Sequence, residues 1–169
     1  METKILKVYT KKIAADTDTP ITLYKKYVGS EVGFLLESAE PSRGRYSLIG
    51  KIPATTIKGM GDKVIVNDSG KEDIHDGKVL DVVNQYMKSY QVENSDESPF
   101  AGGAVGTVGY DVIRQYENLP NKNDDALKLP EAHLMFFTEV LALDHKHHNL
   151  YLVVLDEDNE KGKEKAELK

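Results

Sequence analysis

The sequence predicts an α+β domain built of largely antiparallel β-sheets with a few flanking helices. Three observations carry this reading. Short runs rich in β-branched and aromatic residues recur between turn signals such as Asn67-Asp68-Ser69-Gly70, the pattern of an antiparallel meander. Two stretches carry apolar residues at helical spacing. The order of strands and helices lacks the regular alternation of a parallel βαβ fold.

Lys4 to Ala15 reads as extended. Thr19-Pro20 supplies an N-cap and a proline at the first helical position, so a short helix follows to Tyr27 with Ile21, Tyr24 and Val28 on one face. Val32 to Ser38, Tyr46 to Ile52, Thr55 to Lys58 and Lys63 to Val66 read as strands. Leu80, Val83, Met87 and Tyr90 predict an amphipathic helix over Lys78 to Tyr90. Gln91 to Ser98 is polar and acidic, a surface loop. After a glycine-rich block, Tyr110 to Tyr116 suits a helical turn. Ala132 to Leu143 and Asn149 to Asp156 predict a long hairpin, apolar enough to be buried on both sides.

At 169 residues the chain fits one domain, placed at 1–156, able to bury roughly 70% of the surface its unfolded form exposes. Residues 157–169 differ: nine of these thirteen are charged, as in a linker or the solvated start of a helix, or in a frayed terminus. Apolar residues make up 40% and charged ones 30%, and no run approaches the length of about 18 needed to cross a bilayer. Met1 to Lys7 lacks the apolar core of a secretory signal, and there is no cysteine, so the expected compartment is the cytoplasm. A net charge of -6 with interleaved bases opposes nucleic-acid binding. His145, His147 and His148 crowd into one tetrapeptide between apolar strands, which reads as a hairpin tip rather than a closed metal site.

The run from Leu35 to Gly50 is chemically the densest. It sets Leu35-Leu36 against Glu37-Ser38-Ala39 and then Arg43 and Arg45, two of three arginines in a chain with nineteen lysines. That placement suggests a need for the guanidinium fork, which grips carboxylates or orders a loop. Glu37 and Ser38 at a strand end suit a ligand rim, with a cross-strand Glu37–Arg45 pair as the plainer alternative. Gly102, Gly103, Gly106 and Gly109 do not match a dinucleotide or phosphate loop, and their spacing favours a bulge or close approach by another backbone. Asp111 and Arg114 suit a surface ion pair.

These two blocks resemble the N-terminal domain of anthranilate synthase component I. Leu35-Leu36-Glu37-Ser38 with Arg45-Tyr46-Ser47-Leu48-Ile49-Gly50 is similar to one family motif. Pro99-Phe100-Ala101-Gly102-Gly103 through Gly109-Tyr110-Asp111, then Arg114 and Glu117-Asn118-Leu119-Pro120, is similar to a second, and the likeness spans about Ile13 to Leu155. The resemblance implies a regulatory and structural portion without catalytic residues or a cofactor of its own. It implies further a feedback site for L-tryptophan at Leu36, Glu37, Ser38, Ala39 and Arg45, completed by a C-terminal chorismate-binding domain. The whole enzyme would use Mg²⁺ and a glutamine amidotransferase subunit to make anthranilate and pyruvate. The same domain in aminodeoxychorismate synthase component I, or a self-contained amino-acid-binding module, are the alternatives.

Overall fold

The computed structural model describes residues 3–37, 44–93, 98–119, 127–157 and Glu164. In chain order the elements are β1 (Lys4–Ala14), α1 (Pro20–Tyr27), β2 (Gly33–Leu36), β3 (Tyr46–Lys51), β4 (Thr55–Met60) and β5 (Lys63–Asp68). Then come β6 (Lys71–Asp76), α2 (Val79–Lys88), β7 (Tyr90–Glu93), β8 (Ala104–Val108), a 3₁₀ helix (Tyr110–Gln115), β9 (Ala132–Phe136), β10 (Glu139–Asp144) and β11 (Asn149–Glu157). The α+β class is as the sequence predicts. The chain divides into two compact units, Met1–Pro53 with Ser89–Gly103 and Phe137–Lys169, and Ala54–Lys88 with Ala104–Phe136.

The first unit holds a six-stranded sheet in the order β2-β3-β10-β11-β1-β7. All its ladders are antiparallel except β1–β7, where Lys4–Lys7 run parallel to Tyr90–Glu93. The expected loop from Gln91 therefore begins as a strand, because β1 offers an unpaired edge to a segment whose own polarity hides the signal; residues 94–97 lie outside the described set. α1 starts where the sequence places it. Thr19 Oγ1 accepts from the Thr22 N–H, and the Thr22 hydroxyl oxygen accepts from the Thr19 N–H, a reciprocal cap. Its buried stripe is Leu23 and Val28 with Tyr24 and Tyr27, packed on Ile49, Leu141, Leu143, Leu152 and Val154; Ile21 points outward. The helix thus turns a face one notch from the expected one, with Leu23 in place of Ile21 toward the sheet.

The second unit holds a five-stranded antiparallel sheet, β6-β5-β4-β9-β8. The expected four-strand meander is split: β2 and β3 pair in the first sheet, whereas β4 and β5 pair in this one and continue into β6, a strand the sequence does not show. β6 was hidden because Lys-Glu-Asp-Ile-His-Asp is exposed throughout, an edge strand with no alternation to read. α2 buries Val79 and packs Val82, Val83 and Tyr86 on Ile57, Val64, Leu134 and Phe136, while Leu80 and Met87 are exposed. The expected stripe shares only Val83 with this one. Gly59 decides between them: a Cβ there would stand 2.8 Å from the Val79 Cβ, so the helix start rests directly on β4.

The predicted strand from Ala132 to Leu143 is two strands. β9 pairs with β4 and β8, whereas β10 pairs with β3 and β11 in the other sheet. The apolar run continues through Phe136 and Phe137, so no turn residue marks the crossing. The β10–β11 hairpin and its tip of four residues, 145–148, stand as expected, with β10 buried on both faces.

Candidate functional site

One end of the first sheet gathers the block around Leu36 and Arg45 with the β10–β11 tip. Cross-strand pairing aligns Leu36, Leu48, Ala142, Tyr151 and Lys12 in one row over β2, β3, β10, β11 and β1. Partners in register share a face of the sheet. Ala142 is fully buried, Leu48 and Tyr151 are half-buried, and Leu36 is 47% exposed, so the four positions from Leu36 to Tyr151 form an apolar shelf that opens toward β2, with the exposed Lys12 at its β1 end, its Nζ 5.9 Å from the Tyr151 ring centroid. Toward the tip, Tyr46 pairs with Asp144 on the same face, and the Arg45 guanidinium carbon sits 4.8 Å from the Tyr46 ring centroid. Burial raises the Tyr46 phenol above its ordinary pKa, with the Arg45 charge opposing.

Asp144 is wholly buried at the end of β10. Arg45 Nη2 donates to its Oδ2 at 2.7 Å, and Arg45 Nε reaches both carboxylate oxygens at 3.2 Å. The backbone N–H groups of Lys146 and His147 donate to Oδ1 at 2.9 and 3.3 Å, and His147 Nδ1 lies 3.0 Å from Oδ2. A carboxylate so surrounded is held well below the usual pKa range, first by the Arg45 hydrogen bond, which outweighs the cost of burial, then by His147 and the turn amides. The same bond raises Arg45 above its ordinary value. Two further links tie the tip to β3: the His145 N–H donates to the Arg45 carbonyl at 2.9 Å, and His145 Nε2 is 2.7 Å from the buried Ser47 Oγ.

Of the residues the sequence singles out, Leu36 lies at the exposed end of β2 and Glu37 follows it, exposed. Arg45 precedes β3, its partner being Asp144 rather than the Glu37 of the plainer alternative. Ser38, Ala39 and Arg43 lie outside the described residues. Sequence reasoning missed Asp144, Tyr46 and Tyr151. The signal for Asp144 was a single acid closing the apolar run Val140-Leu141-Ala142-Leu143 before a histidine-rich turn.

The glycine block serves packing, as the sequence suggests. A Cβ on Gly106 would overlap the His133 carbonyl, and one on Gly109 would stand 3.0 Å from the Glu131 carbonyl. Arg114 Nε donates to Asp111 at 2.7 Å. Beside them an open cleft of about 530 Å³ is lined by Gly61, Asp62, Arg114, Gln115, Tyr116 and Glu131, among others. Gln115 braces it: its Oε1 accepts from the Val79 N–H at 2.9 Å, and its Nε2 donates to Glu131 at 2.7 Å and the Gly61 carbonyl at 3.0 Å. Among the described residues no three His, Asp or Glu side chains are grouped to hold a metal, and no helix is long and apolar enough to cross a membrane.

Comparison with known proteins identifies the family. The model of the chorismate binding enzyme family matches residues 33–169. Anthranilate synthase component 1 of Acetivibrio thermocellus is 40% identical over 149 residues, 86% of this chain and 30% of that protein. Aminodeoxychorismate synthase component 1 of Bacillus subtilis is 30% identical over 145 residues, 85% of this chain and 30% of that protein. The crystal structure of anthranilate synthase component I from Streptococcus pneumoniae TIGR4 superposes with a TM-score of 0.61 at 26% identity, over 94% of this chain and 34% of that one. The chain thus spans about a third of the length of the relatives it matches. It belongs to the family of chorismate binding enzymes.

Proposed function

We propose that the chain is the N-terminal portion of an anthranilate synthase component I and forms one wall of its feedback site for L-tryptophan. The observation that carries the reading is the shelf Leu36–Leu48–Tyr151 with an exposed carboxylate, Glu37, at its open end and a fixed guanidinium, Arg45, beside it. An aromatic amino acid needs an apolar surface for its ring, an anion for its ammonium and a cation for its carboxylate. Ser38 and Ala39, next in sequence to Glu37, complete the proposed wall. The 40% identity to an anthranilate synthase component 1 supports the assignment of the whole enzyme.

In this reading a C-terminal chorismate-binding portion closes the pocket and carries catalysis, a glutamine amidotransferase subunit delivers ammonia, and anthranilate and pyruvate leave in a lyase reaction in the cytoplasm. The described residues offer no ligand set for the Mg²⁺ that such an enzyme uses. L-Tryptophan inhibits by binding the inactive arrangement more tightly, since a ligand with equal affinity for both arrangements shifts nothing.

The test is Ser38→Phe in the protein at its full natural length. A bulky ring at the rim relieves inhibition by L-tryptophan and spares chorismate turnover; undiminished sensitivity would count against the site. The likeness to an aminodeoxychorismate synthase component 1 favours a second reading, the folate branch, which a product assay separates.

A further inference from the structure

We infer that Asp144 is a positioning residue for the effector site: it holds Arg45 so that the free edge of the guanidinium faces the carboxylate of an amino-acid ligand, with the hairpin tip as the frame. The inference rests on the tryptophan-site reading above and deepens it.

A guanidinium on an exposed loop samples many orientations, and fixing it before the ligand arrives removes part of the entropic cost of binding. Here the fixing is one-sided. Nε and Nη2 carry the bonds to Asp144, and Nη2 also lies 3.1 Å from His147 Nδ1. Among the described residues the Nη1 hydrogens meet no acceptor, and the Arg45 side chain is 45% exposed. That leaves the Nη1 hydrogens for a second carboxylate.

The anchor is itself fixed. Asp144 is buried, two turn amides hold its Oδ1, and the tip is tied to β3 at the Arg45 carbonyl and at Ser47 Oγ. Asp144 therefore cannot turn away with Arg45 to meet solvent.

The test compares L-tryptophan with tryptamine, which keeps the indole and ammonium and lacks the carboxylate, by calorimetry on the protein at its full natural length. Asp144→Asn and Arg45→Met should each reduce the preference for tryptophan over tryptamine by about tenfold while leaving tryptamine binding within about twofold. The double variant should lose no more than either single one, because both remove the same carboxylate contact. A general loosening of the fold would weaken both ligands together. Where Asp144→Asn does not fold, His147→Ala at a half-exposed side chain decides, with an expected loss of preference of about threefold. Unchanged preference in Asp144→Asn, or in His147→Ala where that variant decides, overturns the positioning role even if Arg45→Met loses it. A wild-type protein that binds no tryptophan overturns the site reading itself, and the inference with it.

Discussion

Gly106 in β8 passes so close to His133 in β9 that any side chain at Gly106 would overlap the His133 carbonyl. Among the described residues β8 is an edge strand whose only ladder is the one to β9, so the overlap strikes the contact that holds it. Gly106→Ala should destabilise the protein by about 3 kcal/mol, the upper part of the range for forced overpacking. Gly61, with a φ of +61° and open space around it, should lose only about 1 kcal/mol on the same change, from backbone strain alone. Urea unfolding of the two variants checks both the order and the gap.

The helix α1 separates two apolar residues that look alike in sequence. Leu23 is 7% exposed and Ile21 is 55% exposed. Leu23→Ala should cost about 2–4 kcal/mol through lost burial and a residual cavity, and Ile21→Ala about 0.5 kcal/mol or less. Equal effects in thermal or urea melts would contradict the orientation of the helix.

In the second unit the Tyr86 hydroxyl donates to Thr55 Oγ1 at 2.7 Å, and Thr55 donates onward to Asp68 at 2.8 Å. Thr55 is almost fully buried, so this relay satisfies polar atoms that water does not reach. Tyr86→Phe should cost about 1 kcal/mol, because Thr55 keeps Asp68 as an acceptor. Thr55→Val removes both hydrogen bonds of the buried hydroxyl and should cost more. Denaturant melts of the two variants give the ranking.

Asp144 makes stability depend on pH in a defined sense. Its folded pKa lies below the ordinary 3.8, so the folded state binds this proton less readily than the unfolded chain. Its contribution is therefore complete above the unfolded value and is lost as pH falls from there toward the folded value. The stability difference between wild type and Asp144→Asn should be constant above about pH 5 and shrink below about pH 4. Urea melts across that range test it, and a difference that grows on acidification would contradict the assignment.

Local signals gave the elements that depend on neighbours in sequence. Thr19-Pro20 started α1, the Asn67-Asp68-Ser69-Gly70 turn joined β5 to β6, and the polar tip between Asp144 and Asn149 closed its hairpin. The failures needed tertiary information. Two overlapping helical stripes in α2 are equally apolar on paper, and only the approach of Val79 to Gly59 chooses between them. The crossing at Phe137 from one sheet to the other leaves no polar mark, and β6 and β7 are strands because an edge was there to pair with. At the site, Arg45 was visible as an uncommon residue in a lysine-rich chain, but its partner lies 99 positions away and carries no periodicity.

We propose that this chain walls a tryptophan feedback site in an anthranilate-forming enzyme. The most direct measurement is product formation from chorismate and ammonia by the protein at its full natural length, with L-tryptophan rising and L-phenylalanine as control. The account predicts that anthranilate forms and that L-tryptophan, not L-phenylalanine, suppresses it saturably. Formation of aminodeoxychorismate instead, or anthranilate formation indifferent to L-tryptophan, would contradict it.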